Sequence, residues 1–382
     1  MLFDPNAKSL ILLFFVLHEL VFALILWRKG SQEGNASDKW LSFLLLLCAL
    51  YMAPWMLGKA GWYAQAGYRD FLLFIPFHQY FLFGPVMYFL TRSLCGEVVS
   101  LSKKELWHFI PAALYLLYSA VIAVTDLLIL EDYYFYQDGL DQDFKPWYQI
   151  IGLASMIVYA VFSLIKYREF KGRIYSTVSF ADSVRLSWLR DFLFCLALII
   201  VLRGLFIVIF PEVGDWGFKW WYYLLFGLIS YYLSLTGFMS SLRMSVPKLE
   251  ALSSATKVYA ESKVEAPHLD PIVQQVDMLF QESKMYADPH LTLVQLAKAV
   301  ETNTSVLSRA INEKAGMNFN DFINSYRISA VKQSLQAGEM NHKTLVGIAM
   351  DHGFNSKSTF IRSFKKQEGV TPSEYYKSLT NL

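Results

Sequence analysis

A chain of 382 residues with 55% hydrophobic and 17% charged residues is too apolar for an average soluble protein. Its net charge of +2 averages two unlike parts, a greasy stretch to about residue 240 and a polar remainder, so it excludes neither membrane nor nucleic acid as a partner. Cys48, Cys95 and Cys195 are isolated and offer neither a disulfide framework nor metal-ligand spacing.

Seven apolar segments come first, each near the ~20 residues that cross the hydrocarbon of a bilayer. They run approximately over Ser9–Trp27, Leu41–Gly58, Phe71–Thr91, Leu106–Leu130, Trp147–Ile165, Leu189–Phe210 and Lys219–Met239. The first is too long for a cleavable signal, and Leu26-Trp27-Arg28-Lys29 gives no small-residue cleavage site, so it reads as an anchor. Basic residues then orient the set. Arg28, Lys29 and Lys39 fall in the first loop, Arg92, Lys103 and Lys104 in the third, and Lys166, Arg168, Lys171, Arg173 and Arg185 in the fifth. The second loop has only Lys59 and Arg69, the fourth sets Lys145 against Glu131, Asp132, Asp138, Asp141 and Asp143, and the sixth has no basic residue before Lys219. Odd loops are therefore expected in the cytoplasm, with the N-terminus outside and the C-terminus inside.

Within the apolar segments, ionisable groups are costly and mark functional or paired positions. His18 and Glu19 fall mid-way along the first segment, His78 within the third and Arg203 mid-way along the sixth, and together they form a candidate intramembrane polar site. Similar depth suggests a Glu19–Arg203 contact, either as a structural ion pair or as part of a ligand site. The aromatic run Tyr133-Tyr134-Phe135-Tyr136 fits an interface belt.

Past Arg243 the composition turns polar. Ser245 to Pro267 reads as a cytoplasmic connector, and Ile272, Val276, Leu279 and Phe280 predict a helix over Asp270–Ser283. Thr292 then caps a helix with Leu293, Leu296, Ala297 and Val300 on its apolar face. A turn at Glu301-Thr302 leads to Asn303, an N-cap for a helix holding Val306, Leu307, Ala310 and Ile311, which ends at Gly316. This is helix, tight turn, helix. A long helix over about Asn320 to Gln336 leads to a second copy: Leu345, Ile348 and Ala349, a turn at Gly353-Phe354, a cap at Asn355 or Ser356, and Phe360 and Phe364 as anchors. Gly369 ends it, and Thr371-Pro372-Ser373-Glu374 opens a last helix as a capping box.

The signature Ile348-Ala349-x3-Gly353-Phe354-x5-Phe360-x-Arg362-x-Phe364-Lys365-Lys366-x2-Gly369-Val370-Thr371-Pro372 resembles the AraC/XylS family of bacterial transcription regulators, and the resemblance covers roughly Leu291–Leu379. It implies two helix-turn-helix units side by side, each placing a recognition helix in one of two neighbouring major grooves of double-stranded DNA. Three departures stand out. Ala310-Ile311 replaces a Leu-Phe type pair, Asn312-Glu313 replaces a basic pair, and Tyr376 stands where an arginine is common. From Leu291 onward eleven Lys and Arg face seven Asp and Glu, a weak surplus of four that suggests a weakly binding monomer helped by a partner or by dimerisation, a homodimer being the default.

The exposed polar face of a recognition helix supplies the contacts. The DNA-binding candidates are Thr304, Ser305, Ser308, Arg309 and Asn312 in the first unit, and Ser356, Lys357, Ser358, Thr359, Arg362, Lys365 and Lys366 in the second. Arg309 and Arg362 suit bidentate reading of guanine, whereas Lys365 and Lys366 suit phosphate. No nucleophile elbow, glycine-rich phosphate loop or metal pair is present, so a catalytic residue, a metal and a cofactor are all expected to be absent.

The expected architecture is all-α. It comprises a seven-helix transmembrane domain over 1–243, a linker and connecting helix over 244–290, and a double helix-turn-helix domain over 291–382. The expected function is a transcription regulator held at a bacterial inner membrane, its membrane part sensing a small-molecule or protein signal or serving only as an anchor in the lipid bilayer. A receptor or carrier whose helical tail binds a protein partner is the other reading, and the placement of Arg309 and Arg362 favours DNA.

Overall fold

The computed structural model describes residues 6–97, 99, 102–137, 141–181, 187–209, 216–243 and 269–380. The expected connector Ser245–Pro267 lies outside the described residues. The chain divides into two units, Met1–Tyr167 with Ser187–Met244, and Arg168–Leu186 with Ser245–Leu382.

The first unit holds helices α1 (Ala7–Gln32), α2 (Ala36–Lys59), α3 (Ala66–Phe74), α4 (Tyr80–Leu94), α5 (Ile110–Val124), most of α6 (Pro146–Thr177), α7 (Ser187–Ile209) and α8 (Trp216–Arg243). Asn6 starts α1 as a reciprocal cap with Ser9, its side chain accepting from the Ser9 N–H at 2.9 Å. Packing buries Leu12, Phe15, Val16 and Leu26 of α1, while Leu10, Phe14, Leu17, Val21 and Leu24 form an exposed stripe on the same helix. α5 and α6 expose stripes of the same kind, including Leu114, Leu117 and Val121, and Val158, Val161 and Ile165. A helix apolar on every face belongs in a nonaqueous surrounding.

Among the described residues, five helical stretches are long and apolar enough to cross a membrane by length and composition: Ala7–Gln32, Ala36–Lys59, Lys103–Leu130, Pro146–Thr177 and Lys219–Leu242. The other two expected crossings differ. α7 carries Arg190, Asp191 and Arg203 along its 23 residues. The single helix expected over Phe71–Thr91 is corrected to two, α3 and α4, separated by extended backbone around Pro76. Side chains from the 141–148 region bind the polar groups this break leaves open. His78 N–H donates to Asp143 Oδ2 at 2.9 Å, the Tyr148 hydroxyl donates to the His78 carbonyl at 2.6 Å, and Tyr80 N–H donates back to Tyr148 at 3.2 Å. Broken helices persist in apolar surroundings only where such partners exist.

The second unit is built on α9 (Asp270–Ser283), α10 (Leu293–Ala299), α11 (Thr304–Lys314), α12 (Phe319–Gln336), α13 (Leu345–Asp351), α14 (Lys357–Glu368) and α15 (Pro372–Thr380). The seven-residue α10 and α13 open two copies of one arrangement. Each ends in a residue of left-handed backbone eight places after its start, Glu301 (φ 52°) and Gly353 (φ 91°). Each turn is closed by the same pair of backbone bonds, Val300→Leu296 and Thr302→Ala297 in the first, His352→Ile348 and Phe354→Ala349 in the second. Asn303 and Ser356 then cap the following helices, accepting from Val306 N–H at 2.8 Å and Thr359 N–H at 3.1 Å. Asn355, the other candidate cap, instead donates to the Pro289 carbonyl at 2.9 Å.

α12 joins two cores. Phe319, Phe322 and Ile323 pack with α9, α10 and α11, while Ile328, Val331 and Leu335 pack with Phe354, Phe360 and Phe364. Gly353 is required twice over, by its φ and because an added Cβ would lie 2.7 Å from the Ala287 carbonyl oxygen. Gly353→Ala is expected to lower stability by about 2–3 kcal/mol, read from urea unfolding of the second unit. An unchanged midpoint would show that the turn tolerates a side chain.

Candidate nucleic-acid interface

α11 and α14 each turn one apolar face inward and leave a polar face exposed. Val306, Leu307, Ala310 and Ile311 anchor α11, and Phe360 and Phe364 anchor α14. Arg309 and Arg362 both occupy the sixth position of their helix, and both are exposed. Asn312, Lys357, Ser358, Lys365 and Lys366 are exposed as well, and Thr304, Ser305, Ser308 and Ser356 are half-buried. Thr359 departs from the expected DNA-facing set. It is buried, 7% exposed, and its hydroxyl accepts from the capping Ser356 hydroxyl at 2.9 Å, because the third residue after a cap turns back under it.

Arg309 and Lys366 take part in ion pairs within the unit. Arg309 Nε lies 2.9 Å from Glu313 Oε1, and Lys366 Nζ lies 2.6 Å from Asp321 Oδ2. Exposed pairs of this kind contribute only about 0–1 kcal/mol, so phosphate or a base edge competes with them readily. Glu313 stands where the resemblance puts a basic residue, and here it holds the arginine beside it.

Residues 296–378 match the helix-turn-helix domain family. The chain is similar there to an uncharacterized HTH-type transcriptional regulator, YtdP, of Bacillus subtilis (strain 168), 34% identical over 88 residues, which are 23% of this chain and 11% of that protein. An uncharacterized HTH-type transcriptional regulator of Staphylococcus aureus (strain COL) is 34% identical over 85 residues, 22% of this chain and 11% of its own. The chain thus spans about a ninth of the length of these relatives, and the likeness concerns the helix-turn-helix domain. No solved structure matches significantly.

The helix-turn-helix domain also holds a polar hub that the sequence reading passed over. Arg327 of α12 is 1% exposed. Its Nε donates to the Tyr286 carbonyl at 2.7 Å, and its Nη2 donates to the Asp288 carbonyl at 2.7 Å and to the Ser179 hydroxyl at 2.9 Å. Burial pushes the guanidinium down to about 10, so it stays charged at neutral pH. Ser179 comes from the short segment that follows α6. Its carbonyl accepts from Asn320 Nδ2 at 2.8 Å, its N–H donates to the Leu291 carbonyl at 3.1 Å, and Val178 forms an antiparallel bridge with Thr292. The signal for this hub was present: Arg327 interrupts the apolar row Ile323, Val331 at helical spacing.

The four polar residues of the apolar segments separate into two places. His18 Nε2 lies 2.6 Å from the Ser234 hydroxyl, and its ring stacks on Phe22 and meets Tyr231 at a tilt. Glu19 is fully buried, and neither of its oxygens hydrogen-bonds to Arg203. Arg203 instead donates to the Tyr80 hydroxyl at 2.6 Å and Gln149 Oε1 at 2.8 Å, and lies over the rings of Tyr80, Phe206 and Tyr222. His78 faces Asp143 and the Tyr223 hydroxyl, both at 3.2 Å. The expected Glu19–Arg203 contact is therefore replaced by an arginine held among tyrosines, since shared depth does not fix which side of a helix a residue faces.

Proposed function

We propose that this protein is a membrane-tethered, sequence-specific DNA-binding transcription regulator. The first unit spans a bacterial inner membrane through seven crossings, the third made by α3 and α4 together, with the N-terminus outside. α11 and α14 are the recognition helices of two helix-turn-helix units in the cytoplasm, reading adjacent major grooves, and the chain acts as a homodimer. The observation that carries this reading is the repeated placement of an exposed arginine at the sixth position of two equivalent helices, Arg309 and Arg362. The outward apolar stripes of α1, α5 and α6 support the lipid bilayer as the surrounding of the first unit. A signal received by the first unit reaches the second through α6, which runs on into the Val178–Ala181 segment bound by Arg327 and Asn320. In this reading His78 and Arg203, both buried, and half-buried His18 are structural polar contacts between helices, and Glu19 is a buried polar residue without a ligand role.

The test is binding of the full-length protein in lipid nanodiscs to fragments of its own genome over a salt series. A subset of fragments is expected to be retained, with affinity falling steeply as salt rises because phosphate contacts release counterions. Retention of no DNA at any salt would exclude the reading.

A further inference from the structure

The first unit contains a cavity of about 660 Å³, within the range of small-molecule sites. Trp55, Tyr63, Tyr133, Tyr136 and Phe144 give it aromatic walls. Its polar lining has both signs, with Asp132 and Asp141 on one hand and Lys59 and Arg69 on the other. A cavity so lined favours an apolar body that carries charges of both kinds.

Two polar atoms of the lining have unused capacity. Asp141 is 6% exposed, and its Oδ1 accepts from Asp143 N–H at 2.9 Å while its Oδ2 has no partner. Arg69 donates from Nη2 to the Tyr133 hydroxyl at 3.1 Å, but its Nε makes no hydrogen bond, the nearest carboxylate oxygen being that of Asp70 at 4.0 Å. Asp141 Oδ2 is a buried orphan of a kind that is rare in a finished interior and calls for an explanation, whereas the Arg69 side chain is 43% exposed and only its Nε is covered. One is an acceptor and the other a donor.

Asp143, next to Asp141, is not available in the same way. Its oxygens are taken by His78 N–H and Nδ1 and by the Tyr115 hydroxyl. Burial and the adjacent Asp143 push the Asp141 carboxyl well above the usual carboxylate range, and a cationic group at Oδ2 would favour its ionised form.

From this geometry we infer that the cavity binds a zwitterionic small molecule of the amino-acid or short-peptide class, its ammonium on Asp141, its carboxylate on Arg69 and its apolar body against the aromatic walls. Aromatic faces add cation–π attraction for the ammonium. The inference deepens the sensing part of the proposed function and rests on it for direction, since Lys59–Asp70 and Glu131–Lys145 are the stretches that the loop charges place outside. The site also meets the backbone break. Asp141 caps the short turn Gln142–Phe144, Asp143 lies within it, and that turn holds His78 between α3 and α4 and leads directly into α6. A ligand on Asp141 therefore acts on the root of the helix that continues to Ser179.

The test is calorimetric titration of full-length protein in nanodiscs with a panel of apolar dipeptides, then with the best binder in N-acetylated and C-amidated forms. At least one free dipeptide is expected to bind, and blocking either end should weaken it at least about tenfold, the cost of one charge-assisted hydrogen bond. Asp141→Asn should lose the same factor for the free dipeptide while leaving the N-acetylated form unchanged, and Arg69→Gln should do so against the C-amidated form. Unchanged helical circular dichroism establishes that each variant is folded. Binding of no panel member, or binding indifferent to both blocked ends, overturns the site. DNA retention by the same nanodiscs is measured separately, so loss of the ligand site leaves the regulator reading standing and loss of DNA binding leaves the ligand site standing.

Discussion

Arg327→Ala is expected to lower the stability of the helix-turn-helix domain by about 3–5 kcal/mol. The side chain is fully buried and serves the carbonyls of Tyr286 and Asp288 and the hydroxyl of Ser179. Its removal strands these acceptors, at roughly 1–3 kcal/mol for each left unsatisfied, and opens a cavity beside Phe354. It also releases the Ser179 segment that follows α6. Arg327→Lys keeps the charge but not the fork that reaches separate acceptors, and is expected to recover less than half of the loss. Urea-dependent proteolysis of the full-length protein measures this directly, cleavage being confined to the C-terminal unit. A midpoint within the error of the native protein would mean that the hub contributes nothing, and that Ser179 is held by backbone bonds alone.

The second large effect falls on recognition. Arg362→Ala is expected to weaken binding to a preferred fragment by roughly tenfold to a hundredfold, about 1–3 kcal/mol, while leaving binding to bulk DNA nearly unchanged. The reason is a division of labour: a planar guanidinium near the start of a recognition helix matches the paired acceptors of guanine, and an ammonium does not. Lys365→Ala should do the opposite, weakening all fragments alike and lowering the salt slope by about one. Arg309→Ala should also weaken binding to the preferred fragment, since Arg309 has only to leave an exposed pair with Glu313. Equal losses on preferred and bulk DNA for Arg362→Ala would reassign it to phosphate. The comparison is made by competition titration of nanodisc-held protein.

What was legible in the sequence was local. Thr292, Asn303 and Gly369 stand where the chain said helices begin and end, because a cap is decided by residues three or four places apart. The inward faces of α11 and α14 were legible for the same reason, as spacing alone places Phe360 above Phe364. The break between α3 and α4 was not, although Pro76 marked it. An unbroken apolar run over 71–91 outweighs one proline until Asp143 and Tyr148, more than sixty residues away, are seen to bind the open backbone. For the Arg327 hub the sequence marks the arginine within an apolar row but not its partner Ser179, 148 positions earlier. The residue type of Thr359 suits a DNA contact, but only the structure shows that its position behind the Ser356 cap turns it inward. Polar residues in apolar segments were the least legible of all: Arg203 found tyrosines and Gln149 rather than Glu19, a matter of helix rotation that depth leaves open.

The most direct measurement of membrane-held, sequence-specific binding is DNA crosslinking in intact cells followed by flotation of the membranes through a density gradient. A tethered regulator predicts that crosslinked DNA rises with the membrane fraction and is enriched at a small set of discrete genomic sites, and that Arg362→Ala flattens that set without moving the protein from the membrane. Crosslinked DNA that stays in the soluble fraction, or that covers the genome evenly with Arg362 intact, would contradict it.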